Sequence, residues 1–393
     1  MEQPQKKRSR HARISLSDPF IRGLLYQFLI VAVIAVVVWY LVSNTLHNLS
    51  VRNISTGFAF LDREAGFAIG ESVIAYTPTD TYGRAIIVGL MNTLKVSAIG
   101  VVAATLFGTL IGVARLSSNW LIAKLASAYV EVMRNVPLLL QLFFWYALIT
   151  ETMPVPRNAH HLLPGVWISN RGLTVPTLDV TALGWLLGGL AIAIGLLWPL
   201  LRWAKHRHAL TGKPMPVGRL AVIIMFVVPT VVLMLSGAEL RFSVPELKGF
   251  NFVGGANVTP EFAALLIGLI IYTSAFVAEV VRSGIQAVNK GQWEAAAAMG
   301  LSRAHTLRLI ILPQALRVIV PPMTSQYLNL TKNSSLAVAI GYPDIVSVVN
   351  TTLNQTGQAI EGILIIMAAY LTVSLSISLL MNWYNKRMAL VER

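Results

Sequence analysis

Catalysis needs nucleophiles, paired acids or metal ligands, and this chain is poor in all three. It has no cysteine and only 17 Asp and Glu in 393 residues, which excludes disulfides, thiolate metal sites and cysteine nucleophiles. His206 and His208 stand two apart and His160 and His161 adjoin, yet neither pair has the further ligands a metal ion needs. There is no H-E-x-x-H and no paired-carboxylate motif. The sole Gly-Lys pair, Gly212-Lys213, is followed by Pro214 and lacks the earlier glycine of a phosphate-binding loop, so ATP cannot be held by that route. What remains are three ionisable residues in apolar stretches, Lys95, Glu279 and Lys332. Charge inside a membrane is costly, which makes such residues functional candidates by type.

The elements that position them are set by composition. The chain is 55% hydrophobic and 12% charged, with a net charge of +14. This excludes disorder and an ordinary soluble domain. A bilayer core takes about 20 apolar helical residues, because each unpaired backbone amide in hydrocarbon costs several kcal/mol. Runs 24–42, 96–114, 183–201, 220–235, 262–281 and 362–381 meet this plainly. Runs 123–149, interrupted by Pro137, and 316–330, with its prolines, are less clean. An all-α polytopic membrane protein of about eight transmembrane helices is predicted.

Lys6, Lys7, Arg8, Arg10 and Arg13 precede the first run, as in a secretory signal. That run is too long for one, and Asn44, Leu46 and His47 follow it without a small-residue cleavage site, so a retained helix is predicted. Lys and Arg collect on the cytoplasmic side. With the N-terminus inside, segments 1–23, 115–136, 202–219, 282–317 and 382–393 hold 22 of them, against 8 in outer segments 44–85, 150–180, 236–261 and 331–361. Both termini are therefore expected in the cytoplasm. The charge excess is an orientation signal; it implies a lipid bilayer as partner and no nucleic acid.

Small residues four apart let helix backbones approach closely. Gly100, Ala104, Gly108 and Gly112 form such a row, repeated briefly by Gly184 and Gly188, and both predict helix–helix seams. Segment 202–219, with Gly212, Pro214, Pro216 and Gly218, predicts a basic loop joining two helices.

The most informative stretch runs from Glu294 to Pro313. Trp293 to Met299 is rich in Ala, the best helix former. Gly300 suits the left-handed residue that ends a helix, and Ser302 suits the N-cap of the next. Leu307, Ile310 and Ile311 then recur at helical spacing before Pro313. A short helix–turn–helix on the cytoplasmic face is predicted. Its first helix has so little bulk that it can lie in a groove of another protein, which suggests a docking element.

The spacing E-A-A, three residues, Gly, nine residues, I-x-L-P is met by Glu294, Ala295, Ala296, Gly300, Ile310, Leu312 and Pro313, with Leu301 after the glycine. It resembles the signature loop of permease subunits of binding-protein-dependent ABC importers, in which this loop enters a cleft of the ATPase subunit. Tyr272-Thr273-Ser274-Ala275-Phe276-Val277-Ala278-Glu279 with Arg282 and Gly284 resembles the polar amino acid permeases of that family. So do Gly89-Leu90-Met91-Asn92-Thr93, the stretch from Glu131 through Arg134, Asn135 and Pro137 to Gln141, and Tyr327 to Ser335 with Tyr342-Pro343-Asp344.

The resemblance implies a type I importer core of five helices, formed by 85–150 and 261–393, with an ATPase-coupling loop at 290–313. This chain adds a basic tail, helix and outer segment at 1–84 and a helical hairpin within 151–260, an even insertion that preserves the topology after it. Ser55-Thr56-Gly57-Phe58 and Asp62-Arg63-Glu64-Ala65-Gly66 are similar to the outer segment of the general L-amino acid transporters. The resemblance thus implies a non-catalytic permease subunit that moves L-amino acids inward by alternating access across a bacterial inner membrane. It implies as partners an ATP-binding subunit in two copies, which carries the ATP and Mg, a second homologous permease and a periplasmic amino acid binding protein. No cofactor is expected on this chain.

An amino acid zwitterion crossing a bilayer needs polar partners for its ammonium and carboxylate. Tyr272, Phe276, Glu279 and Ser283 fall near one helix face beside Thr273, and Ser325, Asn329 and Lys332 line the next helix. Tyr272, Thr273, Glu279, Ser325, Asn329 and Lys332 are therefore expected on the substrate path or a gate. Two alternatives stay open: Glu279 lies within a turn of Arg282 and could form a structural ion pair, and Lys332 could anchor among headgroups. A secondary amino acid transporter is the competing class. It calls for repeated, interrupted helices and ion-coupling charges deep in the membrane, and it leaves the Glu294-to-Pro313 spacing unexplained. A membrane-embedded enzyme would need clustered acids that are absent.

Overall fold

The computed structural model describes residues 19–51, 56–178, 180–211, 216–238 and 242–388. The basic residues 6–13, Ser55 and Gly212-Lys213-Pro214 lie outside them. Among the described residues seven helices are long and apolar enough to span a bilayer, and eight if one bent pair counts as a span. They are α1 (Pro19–Val51), α2 (Tyr82–Ala114), the pair α3 (Trp120–Asn135) and α4 (Leu138–Thr152), α5 (Val180–Thr211), α6 (Val217–Ser236), α7 (Pro260–Gln286), α10 (Leu312–Asn333) and α12 (Ala359–Met388). Short helices α8 (Lys290–Ala298) and α9 (Arg303–Thr306) precede α10, and α11 (Ile345–Thr356) precedes α12.

The run 123–149 is not one straight helix. Its halves meet at 103°, because Val136 must leave the helical region before Pro137 and takes an extended φ of −90° and ψ of 127°. The Gln141 amide then donates to the Met133 and Val136 carbonyls at 3.1 Å each, satisfying groups that the break frees. Insertion strands are a second departure from the all-helical expectation. Strands β1 (His160–Leu163), β2 (Val166–Ser169), β3 (Gly172–Val175) and β4 (Thr177–Leu178) precede α5, and β5 (Phe242–Ser243), β6 (Glu246–Lys248), β7 (Asn251–Val253) and β8 (Ala256–Val258) follow α6. They pair antiparallel in the orders β1-β2-β3-β8, β4-β5 and β6-β7, so the two ends of the insertion close on each other outside the bundle.

The core is α2, α4, α7 and α10. The α2 row packs as a seam: a Cβ at Gly108 would lie 2.6 Å from Val277, and one at Gly112 2.7 Å from the Ala278 carbonyl oxygen. Only glycine permits that approach of α2 to α7. The second row differs from expectation. Gly184 and Gly188 have nothing within 4 Å of a Cβ, and Gly189 makes the contact instead, 2.6 Å from Pro229 of α6. Helices α5 and α6 pack on one another and not on the core, and α1 packs closely on no element among the described residues.

The outer segment 56–81 lies on the core. Phe60 and Ala65 are buried with Tyr82, Ile345, Val348 and Val349, and the Glu361 carboxylate accepts from the Gly57 amide at 2.7 Å.

A candidate docking loop and two half-buried ion clusters

Helix α8 starts where the Asn289 side chain accepts from the Gly291 amide at 2.8 Å. It ends in two reverse bonds, Gly300 N–H to the Ala297 carbonyl at 2.9 Å and Leu301 N–H to the Ala296 carbonyl at 3.1 Å, the pair that closes a helix through a left-handed residue. That residue is Gly300, with φ of +73° and open space around a would-be Cβ. Ser302 caps α9, its hydroxyl accepting from the His305 amide at 3.4 Å. The loop therefore folds locally as its residue types dictate.

Beyond α9 the spacing is not plainly helical. Leu307–Ile311 is a π turn in which the Leu312 amide donates to the Leu307 carbonyl, five residues back. Pro313 explains it: its ring would strike the Leu309 carbonyl of a regular helix, and the wider turn moves that carbonyl away. Trp293, Leu307 and Ile310 pack on Val281, Ile285, Val288, Ile311 and Ala315 where the C-terminal end of α7 meets the N-terminal end of α10. The Gln314 side-chain amide donates to the Gln292 side-chain Oε1 at 3.3 Å, tying α8 to α10. Of the motif residues, Ala296 is buried and Ile310 and Leu301 are half-buried, while Glu294, Ala295, Gly300, Leu312 and Pro313 are exposed. Met299 beside them is 79% exposed. A small-residue helix with an apolar tip thus projects from a rigid base. Behind it lies a cavity of about 870 Å³ walled by Leu116, Ile122, Ile285, Trp293 and Leu307.

One turn of α7 into the bundle, Glu279 accepts from both Arg115 and Arg282, the latter at 2.5 Å, and Arg282 also donates to Gln286 at 2.7 Å. Arg115 thus joins the C-terminal end of α2 to α7, and the Glu279–Arg282 contact is the ion pair left open from the sequence. Tyr272 and Phe276 share the half-buried face of α7 with Glu279, their rings 5.0 Å apart. Thr273, about a quarter-turn round the helix from that face, is buried. Ser325, Asn329 and Lys332 are all exposed along α10. A polar line on a helix of this depth is left uncovered by the chain's own elements.

The third intramembrane charge has a partner that sequence spacing did not suggest. Lys95 donates to Glu71 at 2.5 Å and lies 4.3 Å over the Phe262 ring, and Glu71 also accepts from Thr259 at 2.7 Å. Glu71 comes from the outer segment, with no periodic signal to mark it. Next to it, Asn92 donates to the Glu71 and Pro343 carbonyls at 2.8 Å each, and Thr93 accepts from the Ile345 amide at 3.1 Å. Asp344 caps α11 through the Ser347 amide at 2.8 Å. Burial pushes its carboxyl up to about 7, against the pull of the Ser347 and Val346 amides. A cavity of about 370 Å³ opens here between Glu71, Thr259, Pro343 and Thr351.

Residues 212–390 match the family described as binding-protein-dependent transport system inner membrane component. The chain is 47% identical over 383 residues to a general L-amino acid transport system permease of Rhizobium johnstonii, covering 97% of this chain and 96% of that one. It is 40% identical over 410 residues to a glutamate/glutamine/aspartate/asparagine transport system permease of Rhodobacter capsulatus, covering 96% of each. An Escherichia coli (strain K12) relative is 51% identical over 384 residues, 97% of each chain. Among solved structures, an amino acid ABC transporter crystallised with histidines matches 78% of this chain and 95% of its own at 24% identity, with a TM-score of 0.46.

Proposed function

Because the chain belongs to the permease subunits of binding-protein-dependent ABC importers, we propose that it carries L-amino acids into the cytoplasm by alternating access, driven by ATP hydrolysed on a separate chain. The observation that supports this most is the exposed α8 with its left-handed exit at Gly300. In this reading Glu294, Ala295 and Ala298 face a cleft of the ATPase subunit, two copies of which bind ATP and Mg. Leu301 and Ile310 seat the loop on its base, Leu312 and Pro313 carry it into α10, and its displacement passes through the Glu279 cluster to α2.

The exposed line of Ser325, Asn329 and Lys332, with Tyr272 and Glu279 on α7, would be covered by a second, homologous permease across a shared substrate path. Thr273 then acts from behind that path as packing. A periplasmic amino acid binding protein delivers substrate at the outer end, and both termini lie in the cytoplasm. Segments 85–150 and 261–393 form the transport core, with 1–84 and 151–260 as additions. The test is purification of the full chain from native membranes in mild detergent. An ATPase subunit is expected to copurify and to be lost on Glu294→Arg; its absence from the wild-type preparation counts against the assignment.

A further inference from the structure

Three tryptophans at the inner ends of membrane helices each hold an arginine one turn further on. The guanidinium of Arg202 lies 3.6 Å over Trp198, that of Arg207 5.6 Å from Trp203, and that of Arg387 3.9 Å over Trp383. The three rings are more than half exposed. Two of the pairs belong to α5, and the α5–α6 hairpin is electrostatically one-sided. All five of its Lys and Arg fall within 202–219, and no Asp or Glu occurs between 180 and 236. Arg202, Arg207 and Arg219 form no ion pair among the described residues. Nothing in the hairpin neutralises this charge.

The hairpin packs closely on no core helix among the described residues, and Leu187, Ile194, Phe226 and Met234 are all exposed, an apolar surface suited to lipid. Tryptophan rings settle at headgroup depth. A guanidinium lying flat over such a ring keeps its N–H edges available, and these match a phosphate in a two-pronged fork. Basic clusters just inside a membrane helix are attracted to anionic lipid. We propose that the inner end of the α5–α6 hairpin, with Trp383–Arg387 of α12, binds the phosphate headgroups of anionic phospholipids in the inner leaflet, which anchor the hairpin as a wing beside the transport core.

The test reconstitutes the full chain in phosphatidylcholine vesicles doped with phosphatidylglycerol or phosphatidylcholine brominated near the headgroup end of the acyl chain. Tryptophan quenching reports which lipid collects at the protein. Quenching by brominated phosphatidylglycerol is expected to exceed that by brominated phosphatidylcholine and to weaken as salt is raised. Each basic group near an anionic leaflet contributes about fivefold in affinity, so Arg202→Gln/Arg207→Gln should weaken phosphatidylglycerol binding about 25-fold. Arg202→Lys/Arg207→Lys should retain most of the preference, which guards against a misfolded Gln variant. Equal quenching by the two lipids in the wild type overturns the proposal. So does a Gln variant that keeps its lipid preference and loses a copurifying ATPase instead, since the surface would then belong to a protein partner.

Discussion

Gly300 concentrates the coupling reading in one backbone angle. Its φ of +73° is open to glycine, tolerable to asparagine and costly to a β-branched side chain. Because a Cβ there meets nothing within 4 Å, substitution strains the loop without disturbing the core. Gly300→Val should cost about 1–2 kcal/mol locally and lower substrate-stimulated ATP hydrolysis and uptake severely, with Gly300→Asn intermediate and thermal stability of the bundle little changed. Asp344 makes a different prediction at the same scale. Its carboxyl is pushed up to about 7 by burial, above the ordinary value of 3.8. The folded state therefore holds the proton more tightly than the unfolded one. The contribution of this carboxyl to stability is then fully present below about pH 4 and is lost as pH rises to about 7, by a total on the order of 4 kcal/mol. Thermal melts across that range should show the decline, and Asp344→Asn, which still caps α11, should flatten it.

Between elements, the outer segment is fastened to the core by a charge that crosses from one to the other. Glu71 neutralises Lys95 and accepts from Thr259 at the head of α7. Glu71→Gln leaves the lysine without its counter-ion and should lower thermal stability by about 1–2 kcal/mol. Pairing it with Lys95→Gln should recover part of the loss, and a double variant no better than the single would refute the linkage. Such contacts explain what could be read in advance and what could not. Long apolar runs and the local grammar of Gly300 and Ser302 were legible, since each depends on near neighbours in sequence. The 103° bend at Pro137 was visible only as a proline, because its angle is set by packing. The strands of the insertion are two to four residues long, too short for alternation to register. The Lys95–Glu71 pair depends on a fold that returns a loop to a helix 24 residues on, and no spacing rule announces it. The burial of Thr273 follows from the α2–α7 seam, which fixes the rotation of α7.

For the whole molecule, the charge distribution, the α2–α7 seam and the cytoplasmic loop form one chain of cause. In the proposed reading, basic residues orient the bundle, glycines let α2 and α7 lock, and Glu279 ties the C-terminal ends of these helices together near the base of α8, so that a push on α8 would reach the membrane helices through packed side chains. The α5–α6 hairpin stands outside this path. The most direct test of the coupling reading is ATP hydrolysed per amino acid transported, measured in proteoliposomes holding this chain with its second permease and ATPase. Binding protein loaded with L-amino acid should stimulate hydrolysis and uptake together, in fixed ratio, and Gly300→Val should lower both severely. Amino acid uptake that proceeds without ATP and follows an imposed ion gradient would contradict it.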